Sequence, residues 1–453
     1  MAHRSGRFGP RFAHFTAGLL ALCAATSALS QTHPAVPVLQ SRPNSQYTLY
    51  LDFGGFSFNG LWGGVASQVP GVTAAYDVDG NTATFNTTEL ANIQNIWSRM
   101  AEKYSVFGIN VSTLDPAIAA SQAANDTTRQ AYYDATPRLM HTVIGGNGSW
   151  SGGGGVSYLG VTPFAQATNG YHTNWVFSAL APSNLQFVSE ATAHENGHGL
   201  GVYHQSDYNG NTLVNEYSLG TGTGVGSVAP IMGNSYSAQR GLWKSGTAHV
   251  IDTGPTQQND PFVIANDNLM GGFINDGVGH ALNQATALPL TNATIINTSL
   301  AKGVIVPKSS ANPNPTGVAN YTSDFWSFAT GAGQVTISLV SGRSTITAGL
   351  ADPGAMLDGT LRILDQAGNP LGTSSSGVLS ESLTLTLAGG TYFVEIDSAG
   401  SLSPSNLGFF DMGSYFLTGS VVAVPEASTW AMFALGLIGI SIVRRRRAEV
   451  GQP

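Results

Sequence analysis

The sequence predicts an α+β region followed by an antiparallel β-sandwich, and three observations carry that prediction. Two stretches hold helix-start signals: Asn86-Thr87-Thr88-Glu89 has the form of a capping box, and Pro182-Ser183-Asn184 precedes a run that ends in closely spaced histidines. Short strand-like runs, such as Tyr47 to Phe53 and Asn174 to Phe177, lie around them. From about Asn283 helical periodicity disappears, and runs with period-two alternation follow one another between glycine-rich turns. At 453 residues the chain has room for two or three domains, each with a core of its own. Only 10% of residues are charged and 56 are glycine, which suits an extracellular protein rich in strands and loops. With 42% hydrophobic residues the chain can bury enough surface to fold.

The elements are taken here in chain order. Residues 1–30 read as a secretory signal peptide: Arg4, Arg7 and Arg11, an apolar run from Phe15 to Ala25, then Ala28-Leu29-Ser30 before Gln31. Cys23, the sole cysteine, falls inside that run, and Leu22 before it is too large for a good lipoprotein box. Cleavage near Ser30 leaves no cysteine, so neither a disulfide nor a cysteine switch for latency is available. Residues 31–46 are Pro-rich and expected to be extended, ahead of a first folded region at 47–282. Asp77-Val78-Asp79-Gly80-Asn81 starts like a calcium loop, but Phe85 and Glu89 do not complete the frame, and a tight Asp-Gly turn reads better. The helix capped at Asn86 is expected to run to about Tyr104, burying Ile93, Trp97 and Met100. Gly145 to Gly160 lacks the Gly-Lys-Ser/Thr of a phosphate loop. It leads either into an edge strand, Val156 to Gly160, on which an extended peptide could add as a strand, or into a flexible surface loop.

The most informative stretch is His194-Glu195-Asn196-Gly197-His198-Gly199-Leu200-Gly201-Val202-Tyr203-His204, or H-E-x-x-H-x-x-G-x-x-H. On a helix, His194 and His198 leave one face a turn apart and can reach one ion. Glu195 lies about 100° further round, beside the ion, where it suits a base that takes a proton from water. Gly201 lets the chain leave the helix in a left-handed conformation and return His204 to the same place. Three neutral imidazoles leave a fourth tetrahedral position open, the arrangement of a catalytic zinc site. Hydrolytic chemistry and tetrahedral preference favour Zn²⁺ over copper.

Together with Ala229-Pro230-Ile231-Met232-Gly233, this motif resembles the metzincin family of zinc peptidases. Ile93 to Thr113, Pro230 to Gly246 and Asp260 to His280 resemble other parts of secreted bacterial members. The resemblance implies a twisted mixed sheet with long helices and the zinc on the second helix. It also implies that Met232 forms a floor beneath His194, His198 and His204, as a support and not a ligand. The family carries a tyrosine two residues after the methionine, where this chain has Asn234. Tyr236 is then the residue the resemblance offers as a fifth ligand or oxyanion donor.

Beyond Asn283, the runs Asp324 to Phe328, Gln334 to Val340, Leu361 to Asp365, Ser382 to Leu387 and Thr391 to Ile396 read as strands of a sandwich spanning 283–422. This region resembles the bacterial pre-peptidase C-terminal domain, which implies an accessory role in stability or surface binding. Residues 423–453 hold Val424-Pro425-Glu426-Ala427, an apolar segment from Trp430 to Val443, and four arginines, Arg444 to Arg447. They resemble a PEP-CTERM sorting signal, which implies a Gram-negative host, an exosortase partner and a cell-surface or secreted destination. The alternative is a plain C-terminal membrane anchor. Loss of both ends removes seven arginines and only two glutamates from a chain of net charge −8, so the processed form is more acidic and no nucleic-acid partner is expected.

The expected function is that of a secreted zinc endopeptidase acting on proteins or peptides, with Glu195 as general base. The alternatives are a noncatalytic matrix or adhesion protein that keeps a peptidase fold, and hydrolysis of a non-peptide amide. Substrate preference and oligomeric state are not readable from the sequence.

Overall fold

The computed structural model describes residues 33–163, 169–250, 253–266, 272–307, 322–342, 354–377, 379–399 and 408–424. The expected signal peptide with Cys23, and the segment from Trp430 to Arg447, lie outside them. Strand makes up 37% of the described residues and helix 18%. This overturns the expected metzincin-like α+β catalytic region with long helices and the zinc on its second helix: the described residues are mostly strand, and no helix-rich catalytic domain is present among them. Three described helices reach ten residues, Thr87–Lys103, Asp126–Ala135 and Leu185–Gly199, and the histidine helix is the fourth α-helix in chain order. The strands are spread over seven sheets. The cause is the glycine-rich sequence around the histidine helix. It forms strands such as Asp207–Asn209, Thr212–Asn215 and Gly224–Pro230, whose pairing is set by turns and distant backbone partners and not by residue period.

The sheet that positions the histidine helix has the order Ile109–Ser112, Tyr47–Asp52, Leu139–Ile144, Thr173–Val176, Gly155–Val156. Its first four strands are parallel and its last is antiparallel. Parallel central strands covered on both faces read as continuous apolar runs, and Leu139–Ile144 is buried throughout. The Pro-rich segment lies along the outer strand, where the Ser41 amide donates to the Val111 carbonyl at 3.0 Å and the Thr113 amide donates to that of Leu39 at 2.9 Å.

Helix Thr87–Lys103 begins with the capping box its sequence spells. The Glu89 amide donates to Asn86 Oδ1 at 2.9 Å, and the Asn86 amide donates to Glu89 Oε2 at 2.8 Å. Its Ile93, Ile96 and Met100 share a core with Val188 and Ala191 of the histidine helix, each large side chain contributing about 1.5–3 kcal/mol by burial. The hydroxyl of Tyr104, just past its end, donates to the Ala193 carbonyl at 2.8 Å.

After residue 283 the chain builds two sheets packed face to face. One has Thr286–Ala287, Asp324–Thr330, Gly390–Ser398, Gly359–Leu364 and Pro370–Ser374; the other is built on Gly413–Ser420, Gly333–Ser341 and Ser380–Leu387. Pairing is antiparallel except for Thr286–Ala287, which runs parallel to Asp324–Thr330. Between the sheets lie Trp326, Ile363, Val394 and Ile396 with Val335, Ile337, Leu339 and Leu417.

A buried polar seam joins these sheets to the helical side. The Lys103 ammonium is paired with Glu190 at 3.0 Å and donates to the carbonyls of Gly241 at 2.6 Å and Gly354 at 3.2 Å. The Arg240 guanidinium donates to the carbonyls of Ala355 at 3.0 Å and Met356 at 2.5 Å. The Glu102 carboxylate accepts from the Ser414 hydroxyl and amide. Buried charges are tolerated only when so satisfied.

Candidate metal centre

Helix Leu185–Gly199 starts at Asn184, whose Oδ1 accepts from the Phe187 amide at 3.0 Å. Fifteen residues carry it past His194 and His198, whose ring centroids stand 4.7 Å apart. It ends at Leu200, and Gly201 takes φ = +93°, a left-handed conformation that strains any side chain. The chain reverses there and enters the short strand His204–Gln205, which pairs with Ser245–Val250. This returns His204 to the helix, with ring centroids 5.1 Å from His194 and 4.7 Å from His198. The Nε2 atoms of His198 and His204 are 3.0 Å apart, and one ligand atom from each of the three histidines falls within 4.8 Å of the others.

Each ring is tied on its far side. His194 Nδ1 meets the Ile231 carbonyl at 2.8 Å, His198 Nδ1 meets the Val202 carbonyl at 2.7 Å, and His204 Nδ1 meets Glu216 Oε1 at 3.0 Å. A ring that donates from Nδ1 presents the Nε2 lone pair, so three Nε2 atoms are left to face one point. Burial depresses the basicity of all three: His194 to about 4, His204 to about 3, and His198 well below the ordinary histidine value. They are therefore neutral near pH 7, the form that binds metal. Three neutral nitrogens of this set fit Zn²⁺, which takes imidazole ligands in tetrahedral sites.

Glu195 lies beside the histidines in the wall of a cleft of ≈ 400 Å³. Burial pushes its carboxyl up to about 8. The edge strand Gly155–Val156 lines the cleft next to Glu195 and is shorter than the Val156 to Gly160 expected, because the Gly160 amide instead donates to the His198 carbonyl at 2.8 Å. A Cβ at Gly155 would lie 2.7 Å from Glu195 Oε1 and from the Trp175 carbonyl oxygen. The glycine-dense run thus lets backbone approach the Glu195 carboxyl where any side chain would collide.

Met232 is fully buried, and a Cβ on Gly197 would meet its Sδ at 2.5 Å. The thioether therefore packs directly on the helix between His194 and His198. Its carbonyl accepts from the Gln205 amide at 2.8 Å, which fastens the strand of His204 to the same turn. Tyr236 lines the cleft with its ring 4.9 Å from Phe187, and its hydroxyl lies toward Gly154. Burial, then the nearby Glu195, raises its phenol.

Two residues at the centre escaped the sequence reading, Glu216 and Tyr217. Tyr217 is half-exposed, with its ring 4.4 Å from that of His204 and 6.1 Å from that of His194. Neither sits in a spaced motif; a strand pairing and the turn at Met232 bring them there.

Among the described residues two other groups bring metal-binding side chains together. In Asp77, Asp79 and Glu89, Asp77 Oδ1 accepts from the amides of Asp79, Gly80 and Asn81, and Glu89 serves the helix cap, so these carboxylates build the turn, and nothing beyond their proximity points to calcium. The other group is Asp276, His280 and Asp324.

Comparison with known proteins adds information at the C-terminus. The family model for the PEP-CTERM protein-sorting motif matches residues 423–447. The motif marks the chain for export and surface sorting of the Gram-negative type, with recognition by an exosortase-type enzyme. A solved structure, the pre-peptidase C-terminal domain of a collagenase from Bacillus anthracis, is similar at 13% identity over 21% of this chain and 75% of its own, with a TM-score of 0.15, too low to carry an argument about fold. No curated protein matches the chain. Among the described residues no helix is long and apolar enough to cross a membrane.

Proposed function

We propose that this chain is an exported zinc-dependent hydrolase that cleaves peptide bonds, with Glu195 as its acid–base group. The observation that carries the reading is the convergence of three neutral imidazoles, each anchored through Nδ1, beside a buried carboxyl in an open cleft. His194, His198 and His204 would hold the ion. Zinc there would supply Lewis-acid polarisation of a substrate carbonyl and lower the pKa of water.

The protein's own groups do the rest. Burial alone would keep Glu195 protonated near pH 7, and the positive charge of an ion held by the histidines would favour its carboxylate. In that form Glu195 takes a proton from the attacking water, holds it, and returns it to the leaving amine, a role worth roughly 10²–10⁴-fold in rate. The unpaired side of Gly155–Val156 offers backbone groups to an extended peptide laid across the cleft. Gly201 and Met232 keep the ligand helix and the returning strand in register. The metzincin resemblance enters at the level of the motif, in the histidine spacing, Gly201 and Met232. Tyr236, on the glycine side of the cleft, lines the space where a scissile carbonyl would lie. The sorting motif favours a site of action at the cell surface or outside it, and the two sheets after residue 283 suit a stabilising or surface-binding role.

Zinc content and casein cleavage, compared between the natural chain and Glu195→Gln, test this. The expected result is zinc in both and cleavage reduced by about 10²–10⁴-fold in the variant. Equal cleavage would sink the mechanism, and zinc without turnover in the natural chain would favour a noncatalytic matrix or adhesion role.

A further inference from the structure

Two of the three histidines are tied to main-chain carbonyls, which substitution cannot remove. His194 leans on Ile231 and His198 on Val202. His204 differs in every respect that bears on its orientation. It stands outside the helix, on a strand of two residues, and its side chain is 18% exposed. Its Nδ1 is held by a side chain, Glu216 Oε1 at 3.0 Å.

The placement of Glu216 is itself built. It follows the exposed hairpin Asp207–Asn209 and Thr212–Asn215, and its carbonyl accepts from the Ser206 hydroxyl at 2.5 Å. The next rung is fixed by Ser218, whose amide donates to the Gln205 carbonyl and whose carbonyl accepts from the Asn234 amide, both at 2.9 Å. Glu216 is thus held between the His204 strand and the turn at Met232. Tyr217 covers the other side of the same ring at 4.4 Å between centroids.

We infer that Glu216 is a positioning residue for the metal: its carboxylate fixes the tautomer and orientation of His204 and strengthens it as a ligand. The inference rests on the zinc reading above and deepens it. A carboxylate accepting from the far nitrogen of a ligand imidazole keeps that imidazole's lone pair on Nε2 and raises its basicity, and losing such a partner costs roughly 10–100-fold in metal affinity. Glu216 is about half exposed, so its replacement opens no core cavity.

The test is zinc affinity by chelator competition, with the absorption spectrum of the cobalt(II)-loaded protein, for the natural chain, Glu216→Gln and Glu216→Ala. Glu216→Ala is expected to weaken zinc about 10–100-fold and to alter the cobalt spectrum, with the melting temperature of the metal-free protein unchanged. Glu216→Gln keeps an oxygen acceptor for Nδ1 and is expected to recover most of the affinity. Natural affinity and spectrum in Glu216→Ala would overturn the positioning role alone. A natural chain that binds neither metal would overturn the zinc reading and this one with it.

Discussion

Among the described residues three clusters bring metal-binding atoms within 4.8 Å of one another, and the two that contain histidine differ in where their hydrogen bonds go. In the His194, His198 and His204 cluster every Nδ1 bond points outward, and the Nε2 atoms converge. In the Asp276, His280 and Asp324 cluster the bonds are spent on the fold. Asp276 accepts from the amides of Val278 at 3.0 Å and Val304 at 2.6 Å, Asp324 accepts from the Tyr415 hydroxyl at 2.7 Å, and His280 Nδ1 turns to Asp324 Oδ1 at 3.1 Å. Proximity alone does not make a metal site. Outward anchoring with inward lone pairs is what the proposed zinc site has in addition.

The largest effect expected from this difference is on zinc content. His198→Ala should abolish zinc measured by elemental analysis, whereas His280→Ala should leave it unchanged; zinc lost equally from both would break the comparison. The next effect is on pH dependence. Burial, then the neighbouring Asp276, pushes the Asp324 carboxyl up to about 8. The folded state therefore binds this proton more tightly than the unfolded chain does, whose carboxyl sits near 3.8. Its contribution to stability is full below about pH 4 and is lost as pH rises through about 8. Asp260 and Asp411, both raised to about 7 by burial, act in the same direction. Asp324→Asn should narrow the drop in melting temperature between pH 5 and pH 8.5, and an unchanged drop would contradict the assignment. The smallest effect belongs to Met232→Leu. A swap that conserves volume costs less than about 1.5 kcal/mol, so zinc should be retained and the denaturant midpoint should move little if the methionine supports without binding.

What could be read from the sequence follows from the range of the interactions. Local devices were legible: the Asn86 capping box, a cap at Ser183 or Asn184 that the structure places at Asn184, the reversal at Gly201 and the alternating run Gln334 to Val340 within Gly333–Ser341 all depend on residues within a few positions. The proportion of strand was not legible, because hairpins such as Asp207–Asn215 carry no buried stripe and all of Thr212–Asn215 is exposed. Helix Asp126–Ala135 was missed although Asn125 and Thr128 cap it reciprocally, because threonine stands where the usual glutamate or glutamine would be. Glu216 was invisible for a different reason. A carboxylate twelve residues from its histidine has no fixed spacing, and only the pairing of the chain around Gln205 decides that they meet.

The buried seam of Glu102, Lys103 and Arg240 bears on the C-terminal address. Strand Gly413–Ser420 is the last described strand before the sorting motif, and its Ser414 is fastened to Glu102 on the long helix that packs against the histidine helix. Through Ser414 and Glu102 the last described strand and the body that carries the cleft are one connected unit, so a load that reaches residue 424 is shared by the whole of that unit and not borne by the sandwich alone.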